Sequence, residues 1–323
     1  MKVLVGSALV EVSDADQVGT GGQAVVSKSG GYALKIFHDP AEASSVCQIL
    51  RNHIKEGSYA QLGHISTIPQ MIVRDESDSK DLGYAMELLS GFQSVSDLAD
   101  REFRGENKLG LRAIIHVFAE LHLALRSIHA NGFRVGDLNV GNFLFKYSED
   151  GVALRAIDVD SWAYAGVEGS SIPSSLLPVS NQDIEHPKLV LDGLTGPEYF
   201  LRLEERDWYA YALHLTYALT GIEPFRQGAH QNPSVIIGSD ERKKRGMHLW
   251  HNQIKLPPEA RIASVRLGAK LRFLLKNWMD VNARGEFPLH YLIGDFITGL
   301  RRCKCGLESH KSCGRCPKCF TPL

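Results

Sequence analysis

A change in hydrophobic pattern near residue 90 most constrains the fold of this chain. Before it, ALKIF (Ala33–Phe37) and LGYAMELL (Leu82–Leu89) are short apolar runs with the length of buried strands. Between them, the stretch from Pro40 to about Glu56 has the spacing of an amphipathic helix. We therefore expect residues 1–90 to form a small β-rich part with one helix.

Beyond residue 90 the pattern becomes helical. A long amphipathic helix is predicted over Leu109–Gly132 and a hairpin over Asn142–Asp160. A helix that is apolar on every side is predicted over Asp207–Gly221, and a further helix over Val265–Met279. Residues 165–195 are rich in Gly, Ser and Pro and predict a long loop. The chain is thus expected to be an α+β protein with a helical part over 91–300 and a Cys-rich appendage over 301–323.

Composition and charge narrow the function classes. With 44% hydrophobic and 23% charged residues among 323, the chain has the composition of a soluble globular protein. Its net charge of −1 gives no global basic field of the kind that nucleic-acid binding uses. The apolar run at the N-terminus is too short for a signal peptide, and no window reaches the roughly 18 apolar residues of a membrane span. A cytoplasmic protein without a membrane or nucleic-acid partner is expected.

Five of the six cysteines lie in the tail RRCKCGLESHKSCGRCPKCF, which indicates a metal site rather than a disulfide framework. Cys316 and Cys319 form a CxxC pair, a spacing at which two thiolates bind one Zn²⁺. Two more ligands are needed, and the candidates are Cys303, Cys305, His310 and Cys313. We favour Cys305 with either Cys303 or His310, and Cys313 as the spare. The basic residues around them are interpreted as a solvated face.

A glycine-rich stretch near the N-terminus is the first candidate phosphate site. QVGTGGQAVV (Gln17–Val26) has three glycines within four residues, Gly19, Gly21 and Gly22, followed by β-branched residues. Alone, it predicts an ordinary hairpin turn. The apolar strand that follows contains one ionised group, Lys35. This favours a second interpretation, in which the backbone N–H groups of the loop approach phosphates and the lysine supplies a point charge.

Oxygen donors follow in VGDLNVGNFLF (Val135–Phe145) and IDVDSW (Ile157–Trp162). Asp137 can accept a proton from an attacking hydroxyl, and Asn142 can offer a neutral oxygen to Mg²⁺. Asp158 and Asp160 alternate at a strand end, so one is expected to face a cleft. Either could hold the metal, and Asp158 is favoured because Ile157 continues the strand pattern.

The order and spacing of these motifs resemble the protein-kinase fold, in particular bacterial eukaryotic-like Ser/Thr kinases, over about residues 15–300. GTGGQAVV resembles the GxGxxGxV loop, Ala33-Leu34-Lys35 the AxK of the third strand, and VGDLNVGN the HRDLxxxN catalytic loop. IDVD stands where DFG would be. DWYAYALHLTYALTG resembles the buried helix of the large lobe, whose leading residue, here Asp207, braces the catalytic loop.

The resemblance implies a bilobal, ATP- and Mg²⁺-dependent enzyme that phosphorylates Ser or Thr of a protein substrate. The catalytic roles would fall to Asp137 as base, Lys35 at the α- and β-phosphates, and Asn142 and Asp158 at the metal, with Asp160 as the alternative metal ligand. The implied nucleotide-binding residues are Gly19, Gly21, Gly22, Val26, Lys35, Glu56, Met86, Glu87 and Leu89. Glu56 stands for the helix glutamate that pairs with the lysine, since Glu42 is too close to Lys35 in sequence.

Departures from the kinase pattern keep other functions open. Gly136 replaces the HRD arginine, so a phosphorylated loop would lack its usual docking cation, and Asn139 replaces a catalytic-loop lysine. The APE motif is either Gly196-Pro197-Glu198 or His186-Pro187-Lys188. Two alternatives to an active protein kinase remain. One is a nucleotide-binding pseudokinase scaffold that presents the zinc ribbon to partners, and the other is an enzyme that transfers AMP or phosphorylates a small molecule.

Three of these departures together resemble the motifs of one bacterial kinase subfamily: GDLNxGN, IDxDS and a tail ending in CPxC. Members of that subfamily accompany a PP2C-type phosphatase and a von Willebrand A-domain protein in stress systems. Those two partners are therefore what this second resemblance implies for the chain.

Overall fold

The computed structural model describes residues 1–136, 138–148, 150–166, 189–280 and 285–323. The fold is mixed α+β, as predicted. Its helices are α1 (Pro40–Glu56), α2 (Arg101–Glu106), α3 (Leu111–Ala130), α4 (Gly196–Thr220), α5 (Ser239–Lys244), α6 (Pro258–Val265), α7 (Gly268–Met279) and α8 (Ile297–Gly299).

Its strands are short, and seven of the sixteen in the described residues lie before residue 90. They are β1 (Lys2–Val5), β2 (Ala8–Glu11), β3 (Gln17–Thr20), β4 (Ala24–Ser29), β5 (Tyr32–Phe37), β6 (Met71–Asp75), β7 (Asp81–Glu87), β8 (Gln93–Ser94), β9 (Phe133–Arg134), β10 (Phe143–Ser148), β11 (Gly151–Ala156), β12 (Ala163–Tyr164), β13 (Ala229–His230), β14 (Ile254–Lys255), β15 (Leu300–Arg302) and β16 (Glu308–His310). The predicted strands at 33–37 and 82–89 and the hairpin after Asn142 correspond to β5, β7 and β10–β11.

The chain forms two compact units. The first comprises Met1–Phe92, Ser127–Val135 and the described part of Arg155–Pro178. The second comprises Gln93–Arg126 and the described parts of Gly136–Leu154 and Val179–Leu323.

The first unit is built on an antiparallel sheet of seven strands in the order β2-β1-β6-β7-β5-β4-β3. Alternate residues of β5, such as Leu34 and Ile36, pack with Val73 and Ala85 in one core cluster. Helix α1 contacts β7 and has the predicted bounds. Asp39 accepts a hydrogen bond from the Ala41 N–H at its start.

The second unit is organised around α4, which is longer than the pattern predicted. The apolar stretch from Asp207 predicted its second half, but the helix begins at Gly196, in a more polar segment. Its buried face contacts α3 through the Tyr211 hydroxyl, which donates to the Phe118 carbonyl at 2.8 Å. The helix ends at Gly221, which has a φ of +66° that glycine adopts readily.

The helix predicted over Val265–Met279 corresponds to α7, which begins three residues later than predicted and ends as predicted. Helix α6 ends at Val265 and α7 begins at Gly268, which has a φ of +75°. A Cβ atom at Gly268 would lie 2.5 Å from the Ser312 hydroxyl of the Cys-rich segment. The break is therefore set by a contact with residues more than forty positions away, which the local hydrophobic period does not contain.

The predicted loop at 165–195 lies mostly outside the described residues. Of the APE alternatives, Gly196-Pro197-Glu198 forms the first turn of α4, and His186-Pro187-Lys188 is not described. Within the described part of the chain, no helix combines the length and the hydropathy needed to cross a membrane.

Candidate functional site

A buried lysine with two carboxylates forms the candidate site of the first unit. Lys35 lies in the middle of β5, and its Nζ is 2.9 Å from both Asp160 oxygens and also pairs with Asp158. The side chains of Lys35 and Asp160 are 7% and 6% exposed, whereas that of Asp158 is 33% exposed. These carboxylates lie 123 and 125 residues after the lysine in the chain.

The surroundings keep Lys35 charged. Burial by itself would lower the pKa of Lys35, but the negative charges of Asp160 and Asp158 outweigh it and raise that pKa above its ordinary value. The Lys35 ammonium is therefore held protonated inside an apolar sheet. Such a group can neutralise phosphate charge without losing its proton near neutral pH.

Tyr84 completes the cluster, and sequence reasoning missed it. Residues Lys35 and Tyr84 are paired across β5 and β7, and the fully buried Tyr84 hydroxyl donates to Asp160 Oδ1 at 2.5 Å. A tyrosine within an apolar strand needs a hydrogen-bond partner, which is the signal that could have indicated it. Both Asp160 oxygens thus accept hydrogen bonds within the protein.

Asp158 differs from Asp160 in ways that bear on metal binding. Its carboxylate reaches solvent, and its backbone lies in the left-handed region with a φ of +64°. Few residues other than glycine adopt that conformation, and such positions cluster at functional sites. Asp158 pairs with Lys35 through one oxygen only, so of the two alternatives it has the more accessible carboxylate.

Glu56, predicted as the lysine's helix partner, lies elsewhere. It is the last residue of α1 and is exposed, and it makes no ion pair with Lys35 in the described structure. The buried face of α1 instead carries Ala43, Cys47, Leu50 and His53. None of these four residues is a carboxylate, and the carboxylates that pair with Lys35 come from the segment after β11.

The glycine-rich stretch forms the β3–β4 hairpin. Neither Gly21 nor Gly22 has a positive φ, and a Cβ atom at Gly22 would meet nothing within 4 Å. The hairpin conformation therefore does not require glycine at these two positions. Gly19 and Val26 face each other across the two strands, and Val26 is also paired with Lys35 of β5.

The predicted adenine-binding residues lie at the end of β7. Met86 is buried there, Glu87 is exposed and Leu89 is partly buried. The Thr67 hydroxyl donates to the Met86 sulfur at 3.5 Å. The chain is therefore buried at Met86 and reaches the surface at Glu87, the last residue of β7.

In the second unit, the predicted catalytic loop is braced from α4. The Gly136 N–H donates to the carboxylate of Asp207, which is fully buried, at 2.7 Å. Gly136 has a φ of +70°, which explains a glycine at this position. Asp137 itself lies outside the described residues. The neighbouring Leu138 carbonyl accepts a hydrogen bond from His214, whose pKa burial lowers to about 4.

The two asparagines of this loop have different environments. The Asn139 side chain caps a 3₁₀ turn by accepting a hydrogen bond from the Gly141 N–H at 2.9 Å. The Asn142 side chain is partly buried and forms no hydrogen bond with the described residues. Asn139 thus has a structural contact, and Asn142 has none among the residues that the structure describes.

Four cysteines of the tail form a candidate metal centre. The sulfurs of Cys303, Cys305, Cys316 and Cys319 lie within 4.8 Å of one another. Two of the sulfur pairs, Cys303–Cys319 and Cys305–Cys316, are separated by 3.4 and 3.6 Å. Four sulfurs at ~2.3 Å from a tetrahedral Zn²⁺ lie about 3.8 Å apart, so the arrangement fits zinc.

The thiols of the cluster differ in acidity. A backbone hydrogen bond with Leu307 lowers the pKa of Cys305, but burial and hydrogen bonds with the other three cysteines outweigh it and raise that pKa to about 11. Hydrogen bonds from the Thr321 hydroxyl and from its backbone N–H lower the pKa of Cys319 to about 6. The thiolate is the form that binds metal.

The other two candidate ligands, His310 and Cys313, attach the cysteine segment (residues 301–323) to the rest of the second unit. The His310 ring stacks on Phe296 at 5.6 Å between centroids. Cys313 Sγ donates to the Val265 carbonyl at 3.3 Å. A Cβ atom at Gly299 would lie 2.0 Å from His310 Nε2, which shows how closely the ring packs. The open choice between Cys303 and His310 is thereby decided for Cys303.

Replacing Tyr84 with Phe tests the buried cluster. Loss of the donor to Asp160 is expected to lower the free energy of unfolding by about 1–3 kcal/mol, because the buried carboxylate loses one of its hydrogen bonds. Urea denaturation measures it. Tyr32→Phe in the adjacent strand is the matched control, since the Tyr32 hydroxyl has no partner in the described structure. Equal stabilities for the two variants would contradict the assignment.

Comparison with protein-family models and with curated proteins gave no match. The functional assignment therefore depends on the residues and geometry of this chain.

Proposed function

We propose that this protein is an ATP- and Mg²⁺-dependent protein Ser/Thr kinase with a protein-kinase-like fold. The observation that carries the proposal is the charged lysine buried in β5 with Asp158 and Asp160, from a segment more than 120 residues later. In a protein whose hydrophobic core could be filled by apolar side chains, a buried ionic cluster is costly, and perturbed groups of this kind mark functional sites.

Three further features agree with this function. The glycines at Gly21 and Gly22 are required neither by backbone conformation nor by packing, which leaves room for a phosphate against the backbone. Asp207 holds the loop immediately before Asp137, where the kinase resemblance expects a brace. The Asn142 side chain forms no hydrogen bond with any other described residue.

In this proposal, Lys35 binds the phosphates as a fixed positive charge, and Asp160 and Tyr84 hold it in place. Asp158 and Asn142 would hold the Mg²⁺, which would neutralise phosphate charge when bound. Asp137 accepts the proton of the substrate hydroxyl. Such chemistry depends mainly on positioning and electrostatics, for which these residue types suffice.

Labelled ATP tests the proposal directly. The purified protein is incubated with Mg²⁺ and γ-labelled ATP, and label is expected in a protein Ser or Thr. Asp137→Ala is expected to abolish the transfer. Label transferred only from α-labelled ATP would identify AMP transfer instead, and ATP binding without transfer to any protein would contradict kinase activity.

A pseudokinase scaffold is the second candidate, and one observation favours it. Asn139 stands where kinases carry a lysine near the γ-phosphate, and its side chain is engaged in a backbone cap. That position therefore supplies no cation. In the scaffold alternative, the chain binds nucleotide and presents its zinc ribbon to partners.

A PP2C-type phosphatase and a von Willebrand A-domain protein are the partners we propose, on the motif resemblance alone. Co-purification of either with the tagged chain would support them.

A further inference from the structure

A basic cavity lies in the second unit, away from the proposed kinase residues. It has a volume of about 650 Å³ and is lined by the α2–α3 junction, by α6 and by the cysteine segment. Its charged lining residues are six cations and two carboxylates, namely Arg101, Arg104, Lys108, Arg266, Arg302, Lys318, Glu259 and Glu308. A local excess of four positive charges contrasts with the chain's net charge of −1.

Three of the arginines are fixed by the end of α4. Arg104 Nη1 donates to the Ala218 carbonyl at 2.6 Å, and Arg266 Nη2 donates to the Leu219 carbonyl at 2.7 Å. Arg101 similarly reaches the Thr220 carbonyl at 3.4 Å. Carbonyls at a helix C-terminus attract cations, so this role is structural. Each guanidinium nevertheless has five N–H donors, and these contacts leave others free.

The positive charges are not balanced within the cavity. Burial, followed by repulsion from Arg104 and Arg101, lowers the pKa of Arg266 to about 10. The buried Nε of Arg266 has no acceptor in the described structure. Lys108, Arg302 and Lys318 are exposed and form no ion pair with described residues.

The two carboxylates of the lining, Glu308 and Glu259, offset only part of its positive charge. Glu308 Oε2 accepts a hydrogen bond from the Leu111 N–H at 2.6 Å, at the start of α3. Glu259 lies in the first turn of α6, where a negative charge suits the helix dipole. Each of them lies at a helix N-terminus, and the two together offset only two of the six positive charges of the lining.

We propose that this cavity binds a small polyphosphate anion, held by the fixed arginines of the helical unit and by Arg302 and Lys318 of the cysteine segment. Guanidinium groups match the geometry of phosphate oxygens in pairs, and lysine adds point charge. Arg302 and Lys318 flank cysteines of the candidate metal cluster, so a bound metal would fix the position of two of the six cations. This inference does not rest on the proposed kinase activity.

Calorimetric titration of the zinc-loaded protein with inorganic pyrophosphate tests the proposal. Arg302→Ser combined with Lys318→Ser removes two exposed cations and leaves the arginines that cap α4. We expect this double variant to bind at least about tenfold more weakly than the unsubstituted protein, since each charge-assisted contact contributes strongly. Zinc content, measured in parallel, shows whether the cysteine segment remains folded.

A matched control removes the same charge from the same segment. Lys304→Ser with Lys311→Ser changes two exposed lysines outside the cavity and is expected to leave affinity within about twofold, since diffuse surface charge contributes little. The proposal is overturned if the unsubstituted protein shows no saturable binding, or if both double variants lose affinity equally. It is also overturned if Lys35→Met alone abolishes binding, because the anion would then occupy the lysine site.

Discussion

Asp158→Asn is expected to reduce phosphoryl transfer by about 100-fold or more while leaving the protein folded. The substitution removes the carboxylate that we assign to the metal, and it keeps the size and shape of the side chain. Because the Asp158 carboxylate is 33% exposed and Lys35 keeps its contacts with Asp160, stability should change little. Initial rates with γ-labelled ATP over a range of Mg²⁺ concentrations measure the effect, and higher Mg²⁺ should restore it only in part.

Asp160→Asn is the contrasting variant. Its carboxylate is buried and accepts hydrogen bonds from Lys35 and Tyr84, so we expect a loss of about 1–3 kcal/mol in the free energy of unfolding. The Mg²⁺ dependence of the remaining transfer should stay normal. If Asp158→Asn were fully active and Asp160→Asn changed the Mg²⁺ requirement, the two roles would have to be exchanged.

Cys316→Ser is expected to lower bound zinc from about one ion per chain to near zero. Cys316 is fully buried within the four-sulfur cluster, and its substitution leaves only three of the four sulfur ligands. A metal bound by these cysteines would hold together a segment whose own strands, β15 and β16, are three residues each. Without it, proteolytic cleavage within 301–323 should become much faster. Metal analysis and limited proteolysis measure the two effects.

Cys313→Ser is the matched control for the metal site. Cys313 lies in the same segment but outside the cluster, and its sulfur donates to the Val265 carbonyl, a contact that a serine hydroxyl can replace. This variant should keep its zinc. Zinc loss in Cys313→Ser together with retention in Cys316→Ser would refute the assigned ligand set.

Much of the fold follows from local patterns. The bounds of α1 and the positions of β5, β7 and the β10–β11 hairpin were predicted from hydrophobic period and turn residues, because those signals involve residues close in sequence. The break between α6 and α7 was not predicted, since it depends on Gly268 meeting the cysteine segment. The start of α4 was missed because its first half lacks the apolar pattern of its second half.

The sequence by itself determined the chemistry that is available: a lysine in a strand, oxygen donors in a fixed order, and a CxxC pair with further candidate ligands. Only the tertiary structure decided which groups meet. It placed Asp160 and Tyr84, not Glu56, against Lys35, and it chose Cys303 over His310 for the cluster. The physical reason is that residue type and period are local properties, whereas the partner of a buried charge or a metal ligand is set by long-range packing, which satisfies each buried polar group with whichever side chain the fold brings near.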